Sequence, residues 1–317
     1  MRVLVTGADG FVGRHLVRRL LQAGDQVAAA CRPEGPVVEW ASAGAALGAP
    51  ETLRFEITDN DSVRSALAWR PDAIAHLAAV ASNREASHDP GTAWTVNAAG
   101  TARVLAGAAE LRQRGLADPL VLIVSTGEVY GGAGPGPRVE TDALLPLSPY
   151  AASKVGAEAA ALAEWRRTAL RVVIARPFPH TGAGQTTQYV APALVQRLRE
   201  ARRTGATTVP TGNLDPVRDL LDVHDVVEAY CALLGRGVPG EAYNIARGEG
   251  LSVAELFERL AELIGVRARP EPDPALRRAS DIPHLVGDST KLRRATGWAP
   301  SISMEQTLRR LVDAEAD

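Results

Sequence analysis

A phenol and an ammonium stand at i and i+4 in Tyr150-Ala-Ala-Ser-Lys154, a spacing that puts both on one face of a helix. A cation beside a phenol favours the phenolate, which brings a group with a free pKa of about 10 into proton exchange near neutrality. Tyr150 is therefore the candidate acid or base, and Lys154 its tuner. Pro149 marks the helix start, and the pair lies a strand and a loop after Ser125-Thr126-Gly127-Glu128, where Thr126 and Glu128 bring a hydroxyl and a carboxylate.

A second constellation opens the chain: Val3-Leu-Val-Thr-Gly7-Ala-Asp-Gly10-Phe-Val-Gly13 places three glycines between an expected strand and an expected helix. The first allows a tight turn, the second lets backbone approach a pyrophosphate, and the third lets helix and strand pack closely. Gly7, Gly10, Phe11, Val12 and Gly13 are thus the expected dinucleotide contacts, with Glu56, Ile57, Leu77, Ala78 and Ala79 from later strand ends and Tyr150 and Lys154 from their helix. The second strand ends Ala30-Cys31-Arg32-Pro33, with no acid at its tip. An acid there would hold ribose hydroxyls, whereas an arginine accommodates a 2′-phosphate, so Arg32 points to NADP(H), with NAD(H) as the alternative.

The elements that must position these groups follow from apolar rhythm. Arg2 to Thr6, Gln26 to Cys31, Leu53 to Ile57, Ala73 to Leu77, Leu120 to Ser125 and Arg171 to Ala175 are short apolar runs separated by helical patterns. Continuous rather than alternating runs are expected of strands buried on both faces, so the fold class is α/β, a doubly wound parallel sheet of Rossmann type. After Arg176 the rhythm breaks into loop-rich sequence with isolated helices. Residues 1–176, with a returning segment near 217–245, are expected to form the dinucleotide domain, and 177–216 with 246–317 a smaller substrate lobe. The stretch Gly131 to Arg138 is expected to be a mobile loop beside the site.

Bulk properties exclude other classes. A net charge of −2, with 35 Lys and Arg scattered along the chain, gives no field for nucleic acid. No run of 18 or more apolar residues suggests a membrane span, and Cys31 and Cys231 belong to no CxxC or Cys/His cluster, so neither a disulfide framework nor a metal site is expected. A cytoplasmic enzyme is the expectation.

The successive motifs Thr6-Gly-Ala-Asp-Gly-Phe-Val-Gly13, His76-Leu-Ala-Ala79, Asn97-Ala-Ala-Gly100, Ser125-Thr-Gly-Glu-Val-Tyr-Gly131 and Tyr150-Ala-Ala-Ser-Lys154 resemble those of extended short-chain dehydrogenases acting on nucleotide sugars. Gly212-Asn-Leu-Asp215, Val217-Arg-Asp219, Asp222-Val-His-Asp225, Arg278-Ala-Ser-Asp-Ile-Pro283 and Thr296-Gly-Trp-Ala-Pro300 are similar to the branch that handles GDP-hexoses. The resemblance implies that Thr126 holds the sugar oxygen at C4, that Tyr150 donates the proton with Lys154 as partner, and that Asn97 maintains helix geometry and a proton-relay water. It also places Ser82 and Asn213 at the substrate and Arg218 and Arg278 on its pyrophosphate, and it implies a homodimer through helices within 92–114 and 149–167.

Two departures bear on the reaction. Sugar dehydratases follow the threonine with Asp or Ser and then Glu, but Gly127 has no side chain, and an elimination needs both an acid and a base beside the tyrosine. The expected activity is therefore NADPH-dependent reduction of the C4 ketone of a GDP-4-keto-6-deoxyhexose, giving GDP-D-rhamnose or its C4 epimer. A 4,6-dehydratase or 4-epimerase is the alternative, and a non-catalytic NADP-binding protein the remote one. Pro179 stands where the family commonly has asparagine, and the adjacent His180 is expected to be structural.

Overall fold

The computed structural model describes residues 1–35, 38, 40, 48–132, 134, 136–276 and 282–314. The first half alternates β1 (Arg2–Thr6), α1 (Phe11–Gln22), β2 (Gln26–Cys31), β3 (Glu51–Arg54), α2 (Asn60–Leu67) and β4 (Ala73–His76). It continues with α3 (Asn83–His88), α4 (Pro90–Trp94), α5 (Thr101–Gln113), β5 (Leu120–Val124), α6 (Pro149–Thr168) and β6 (Arg171–Pro177). A π-helical turn, Thr95–Gly100, joins α4 to α5, so the single helix expected from residue 92 onward is wound more loosely at Asn97. The second half carries β7 (His180–Thr181), α7 (Val190–Thr204), β8 (Thr208–Thr211), β9 (Val217–Asp219), β10 (Leu221–Asp222), α8 (Val223–Arg236) and β11 (Ala242–Ile245). Then come β12 (Gly250–Ser252), α9 (Val253–Ile264), β13 (Arg269–Pro272), β14 (His284–Leu285), α10 (Thr290–Thr296) and α11 (Met304–Ala314).

Seven strands form one sheet in the order β11-β6-β5-β4-β1-β2-β3, and every pairing in it is parallel. The chain leaves β1 toward β2 and later returns to lay β4 on the other side. That reversal opens a crevice at the carboxyl ends of β1 and β4, where α/β sheets bind ligands. Val3, Val5 and Ala75 pack with Leu16, Val17, Val227 and Leu233 of α1 and α8 on one face. Leu4, Ile74 and Val121 pack with Val63, Leu105 and Ala161 of α2, α5 and α6 on the other.

A separate core, with Leu198, Leu256, Leu260, Leu308 and Leu311, gathers α7, α9 and α11. The segment expected to return to the large sheet from residue 217 divides. β9 pairs with β12 and β14 in a three-stranded sheet, while α8 and β11 rejoin the large unit. α10 also packs on the large unit, because Leu292 and Trp298 bury in the same core as α8. Asp225 of α8 stitches the two parts together, accepting from Ser301 N at 2.9 Å and Ile302 N at 3.2 Å. No helix among the described residues is long and apolar enough to cross a membrane.

Candidate active site

The crevice is shaped by two glycines for different reasons. Gly7 has φ +69°, and a Cβ there would lie 2.8 Å from Ala78 N. A Cβ on Gly13 would lie 2.1 Å from Gly7 O, so the first turn of α1 sits directly on the loop. Gly10 caps α1 without a side-chain hydrogen bond, which leaves a helix N-terminus suited to phosphate. Phe11 and Val12 open that helix, while Leu77, Ala78 and Ala79 form the facing wall beyond β4, with Leu77 N donating to Thr6 O at 3.2 Å.

A buried chain of hydrogen bonds sets these parts relative to one another. Thr6 Oγ1 lies 2.8 Å from His76 Nδ1, His76 Nε2 lies 3.1 Å from Thr101 Oγ1, and Thr101 Oγ1 donates to Asn97 O at 2.6 Å. Because Thr101 spends its proton on Asn97, His76 must donate from Nε2 and accept at Nδ1, a neutral tautomer. Burial agrees, pushing the imidazolium pKa down to about 3.

Arg32 extends from the tip of β2, its side chain 74% exposed and its Nε 3.7 Å from Oδ2 of the buried Asp9. The glycine loop thus supplies the acid that the strand tip lacks. Glu56 follows β3 and accepts from Thr58 N at 2.9 Å and Thr58 Oγ1 at 2.6 Å, while Ile57 is buried against Gly100.

Tyr150 and Lys154 sit in the first turns of α6, which starts with Pro149 and is capped by Ser148, whose hydroxyl accepts from Ala151 N at 3.1 Å. Lys154 is 5% exposed and donates to Val124 O at the end of β5 at 2.9 Å; burial pulls its pKa down to about 8. The expectation that Lys154 makes Tyr150 more acidic is not met. Burial, followed by the charges of Glu128 and Tyr189, raises the Tyr150 pKa, and the Thr126 hydroxyl offsets only part of this. The physical reason is that the phenol is buried and feels the Glu128 charge, while the ammonium is spent on Val124 O. Tyr150 is consequently held protonated.

Thr126 is buried and caps a short 3₁₀ turn, Gly127–Tyr130, accepting from Glu128 N at 3.2 Å. Glu128 is fixed in turn by Asn83, whose Nδ2 donates to Glu128 Oε2 at 2.7 Å. Asn97 is buried and uses its whole amide to hold backbone and helix. Its Oδ1 accepts from Val80 N at 2.8 Å, and its Nδ2 donates to Val80 O at 3.0 Å and Ser153 Oγ at 2.9 Å. Beneath the strand end, Ser125 Oγ donates to Glu158, which also receives Arg176 Nε at 3.0 Å and Nη2 at 2.7 Å.

The space beside Gly127 is filled: a Cβ there would lie 3.1 Å from three atoms of the Phe178 ring, and Gly287 backs the same ring from another side. His180 Nδ1 donates to Phe178 O at 3.0 Å, and its ring stacks on Phe11 at 6.4 Å between centroids. Pro179 keeps its carbonyl in use, accepting from Leu221 N at 2.9 Å.

The residues expected at the diphosphate end are less concentrated. Ser82 caps α3 through Glu85 N at 3.4 Å, and Asn213 is exposed, its Oδ1 accepting from Asp215 N at 3.1 Å. Arg218, half-buried on β9, donates to Val217 O at 3.0 Å and Ile282 O at 2.6 Å, which ties it to the segment leading into β14. Its neighbour Asp219, whose pKa burial pushes up to about 6, accepts from the N–H groups of Arg247, Gly248 and Gly287. Arg278 lies outside the described residues. Arg138, at the end of the glycine-rich loop expected to be mobile, is buried, and its backbone N–H donates to Val286 O at 2.8 Å. Asn83, Tyr189 and the Glu158–Arg176 pair were not evident from sequence.

Dinucleotide-dependent oxidoreductases of the extended short-chain type are built this way, with the glycine crevice and the Tyr–Lys helix at the carboxyl ends of the inner strands of one parallel sheet. The chain belongs to the GDP-mannose 4,6 dehydratase family, whose model matches residues 4–311. It is 35% identical to GDP-6-deoxy-D-mannose reductase of Pseudomonas aeruginosa over 98% of this chain and 96% of that protein. It is 32% identical to UDP-glucose 4-epimerase of Mycolicibacterium smegmatis, over 99% and 98% respectively. The solved structure of RMD from Pseudomonas aeruginosa complexed with NADPH superposes with a TM-score of 0.82 at 32% identity, covering 99% of this chain and 98% of that one.

Proposed function

We propose that this protein is an NADPH-dependent reductase of the C4 ketone of a GDP-4-keto-6-deoxyhexose. The observation that carries the reading is Tyr150 in the opening turn of α6 with the Thr126 hydroxyl beside it, and with the neighbouring position 127 bare and packed against Phe178. Such a site can donate a proton at one oxygen, but position 127 contributes no second acid or base for elimination. The tight turn that Gly7 and Gly13 permit brings the loop against the N-terminus of α1, whose cap Gly10 offers no side chain, and such a helix start suits a dinucleotide pyrophosphate. NADPH, when bound, supplies the hydride to C4. Thr126 holds the ketone oxygen, and Tyr150 Oη gives it the proton that completes the alcohol. The phenolate then recovers a proton from solvent, while Lys154, bonded to Val124 O, holds the opening turns of the helix that carries it.

The test is NADPH oxidation by the purified protein, with GDP-4-keto-6-deoxymannose in one cuvette and GDP-mannose in another. Oxidation with the keto sugar alone is expected, and NMR of the product gives its C4 configuration. Conversion of GDP-mannose without net cofactor loss would instead make this a dehydratase.

Arg32 carries the cofactor preference in this reading. Replacing it with Asp removes a charge-assisted contact to a 2′-phosphate and adds a repulsion, so the ratio of kcat/KM with NADPH to that with NADH should fall by about 10- to 100-fold. An unchanged ratio removes Arg32 from that role.

A further inference from the structure

We propose that Asn83 is a sugar-binding residue: held on Glu128 by its amide nitrogen, it forms with that carboxylate a two-acceptor receptor for adjacent hydroxyls of the hexose. The inference rests on the reading of the site as one for a nucleotide sugar and names what grips the ring.

Asn83 is half-buried in the first turn of α3, and its Nδ2 donates to Glu128 Oε2 at 2.7 Å. The amide has one orientation available. Turning it over would set Oδ1 against a carboxylate oxygen, a repulsion that the observed arrangement avoids. Asn83 Oδ1 is therefore the atom left over, and it is buried with no hydrogen-bond partner in the protein. A buried amide oxygen without a donor is costly, so its persistence calls for a donor supplied from outside the chain.

The place of this pair identifies that donor. Glu128 is two residues from Thr126, its backbone N–H rests on the Thr126 hydroxyl at 3.2 Å, and its charge is felt at Tyr150. An acceptor-only group here faces the ring whose C4 oxygen meets Tyr150 and Thr126. A carboxylate oxygen and an amide oxygen together offer lone pairs and no competing proton, which suits neighbouring hydroxyls and excludes a second anion. Glu128 thus acts as an anchor for the sugar rather than as a base, because Asn83 occupies one of its oxygens. Asn83 contributes the second acceptor and stops the carboxylate from turning away.

The experiment uses titration calorimetry on the full chain with GDP-mannose and GDP as probes, so turnover is not required. Asn83→Leu keeps the side chain's shape, and it should weaken GDP-mannose binding by about 10-fold while leaving GDP unchanged. Glu128→Gln should do the same. Asn83→Asp places two carboxyl groups within hydrogen-bond reach, where they share one proton. GDP-mannose affinity should then match the native protein at pH 5.5 and fall as pH rises to 8.5, against a flat native profile. A merely structural tie predicts lower thermal stability in Asn83→Leu with the GDP-mannose to GDP affinity ratio intact, and that outcome, or a flat Asn83→Asp profile, overturns the proposal. If native protein binds GDP-mannose and shows the ratio change in the variants yet oxidises no NADPH with the keto sugar, the reductase reading fails and the receptor stands. If it binds neither probe, UDP- and dTDP-glucose against UDP and dTDP replace them, with the same outcomes deciding.

Discussion

Replacing Tyr150 with Phe should lower kcat for the keto sugar by about 10²- to 10⁴-fold, the range for removing a positioned general acid. The NADPH dissociation constant, read by fluorescence titration, should change by less than about twofold. The split follows from the geometry. The polar groups felt by the phenol are Thr126, Glu128 and Tyr189, and its ring packs against Val80, Ala86 and Ala93, whereas the glycine loop at Gly7 and Gly13 is closed by Ala78 and by its own backbone. Ser153 and Lys154 hold the helix to Asn97 and Val124 without the phenolic oxygen, so the variant should keep its fold. Turnover within a factor of three of the native enzyme would mean that the proton comes from elsewhere, with Glu128 the next group to test.

That prediction depends on a point the sequence misled about. The i, i+4 spacing correctly placed Tyr150 and Lys154 on one helix face, since helical geometry is local and needs no knowledge of neighbours. The charge relation was not local. Lys154 turns to Val124 O, 30 positions earlier in the chain, and the groups that face the phenol come from the 3₁₀ turn and from the start of α7. The glycine loop was legible for the same reason as the helix pair, because its constraints are steric and act within a single turn. Arg32 was legible as a strand-tip cation, but its partner Asp9 was not, since only the parallel pairing of β1 with β2 brings the loop beside it. Asn83 carried no signal at all. An asparagine at a helix start reads as a cap, and its contact with Glu128 spans 45 residues. The loosened turn at Asn97 was equally hidden, because the partners that hold its amide, Val80 and Ser153, lie 17 and 56 positions away.

The largest effect on stability should come from a residue that touches no substrate. Glu158 of α6 and Arg176 of β6 are 3% and 7% exposed, and their two parallel hydrogen bonds join the catalytic helix to the sheet. Arg176 also donates to Tyr130 Oη at 2.8 Å, and that hydroxyl donates to Asn244 Oδ1 at 2.7 Å. Glu158→Ala strands a buried guanidinium, a loss of about 3–5 kcal/mol, which for a chain of this length lowers Tm by roughly 5–8 °C. Replacing both partners, Glu158→Gln with Arg176→Met, should recover much of that loss, because the cost lies in the unpaired charge rather than in the missing bond. Activity should shift as well. Glu158 raises the Lys154 pKa against the burial that brings it to about 8, so without the carboxylate the ammonium deprotonates at lower pH and loses the charge-assisted bond to Val124 O that seats the start of α6. The alkaline limb of the kcat profile should therefore move toward neutrality in Glu158→Ala and in the double variant alike, even where the double variant has regained its Tm. Recovery of Tm together with a native pH profile would separate Glu158 from Lys154 and leave it a purely structural tie.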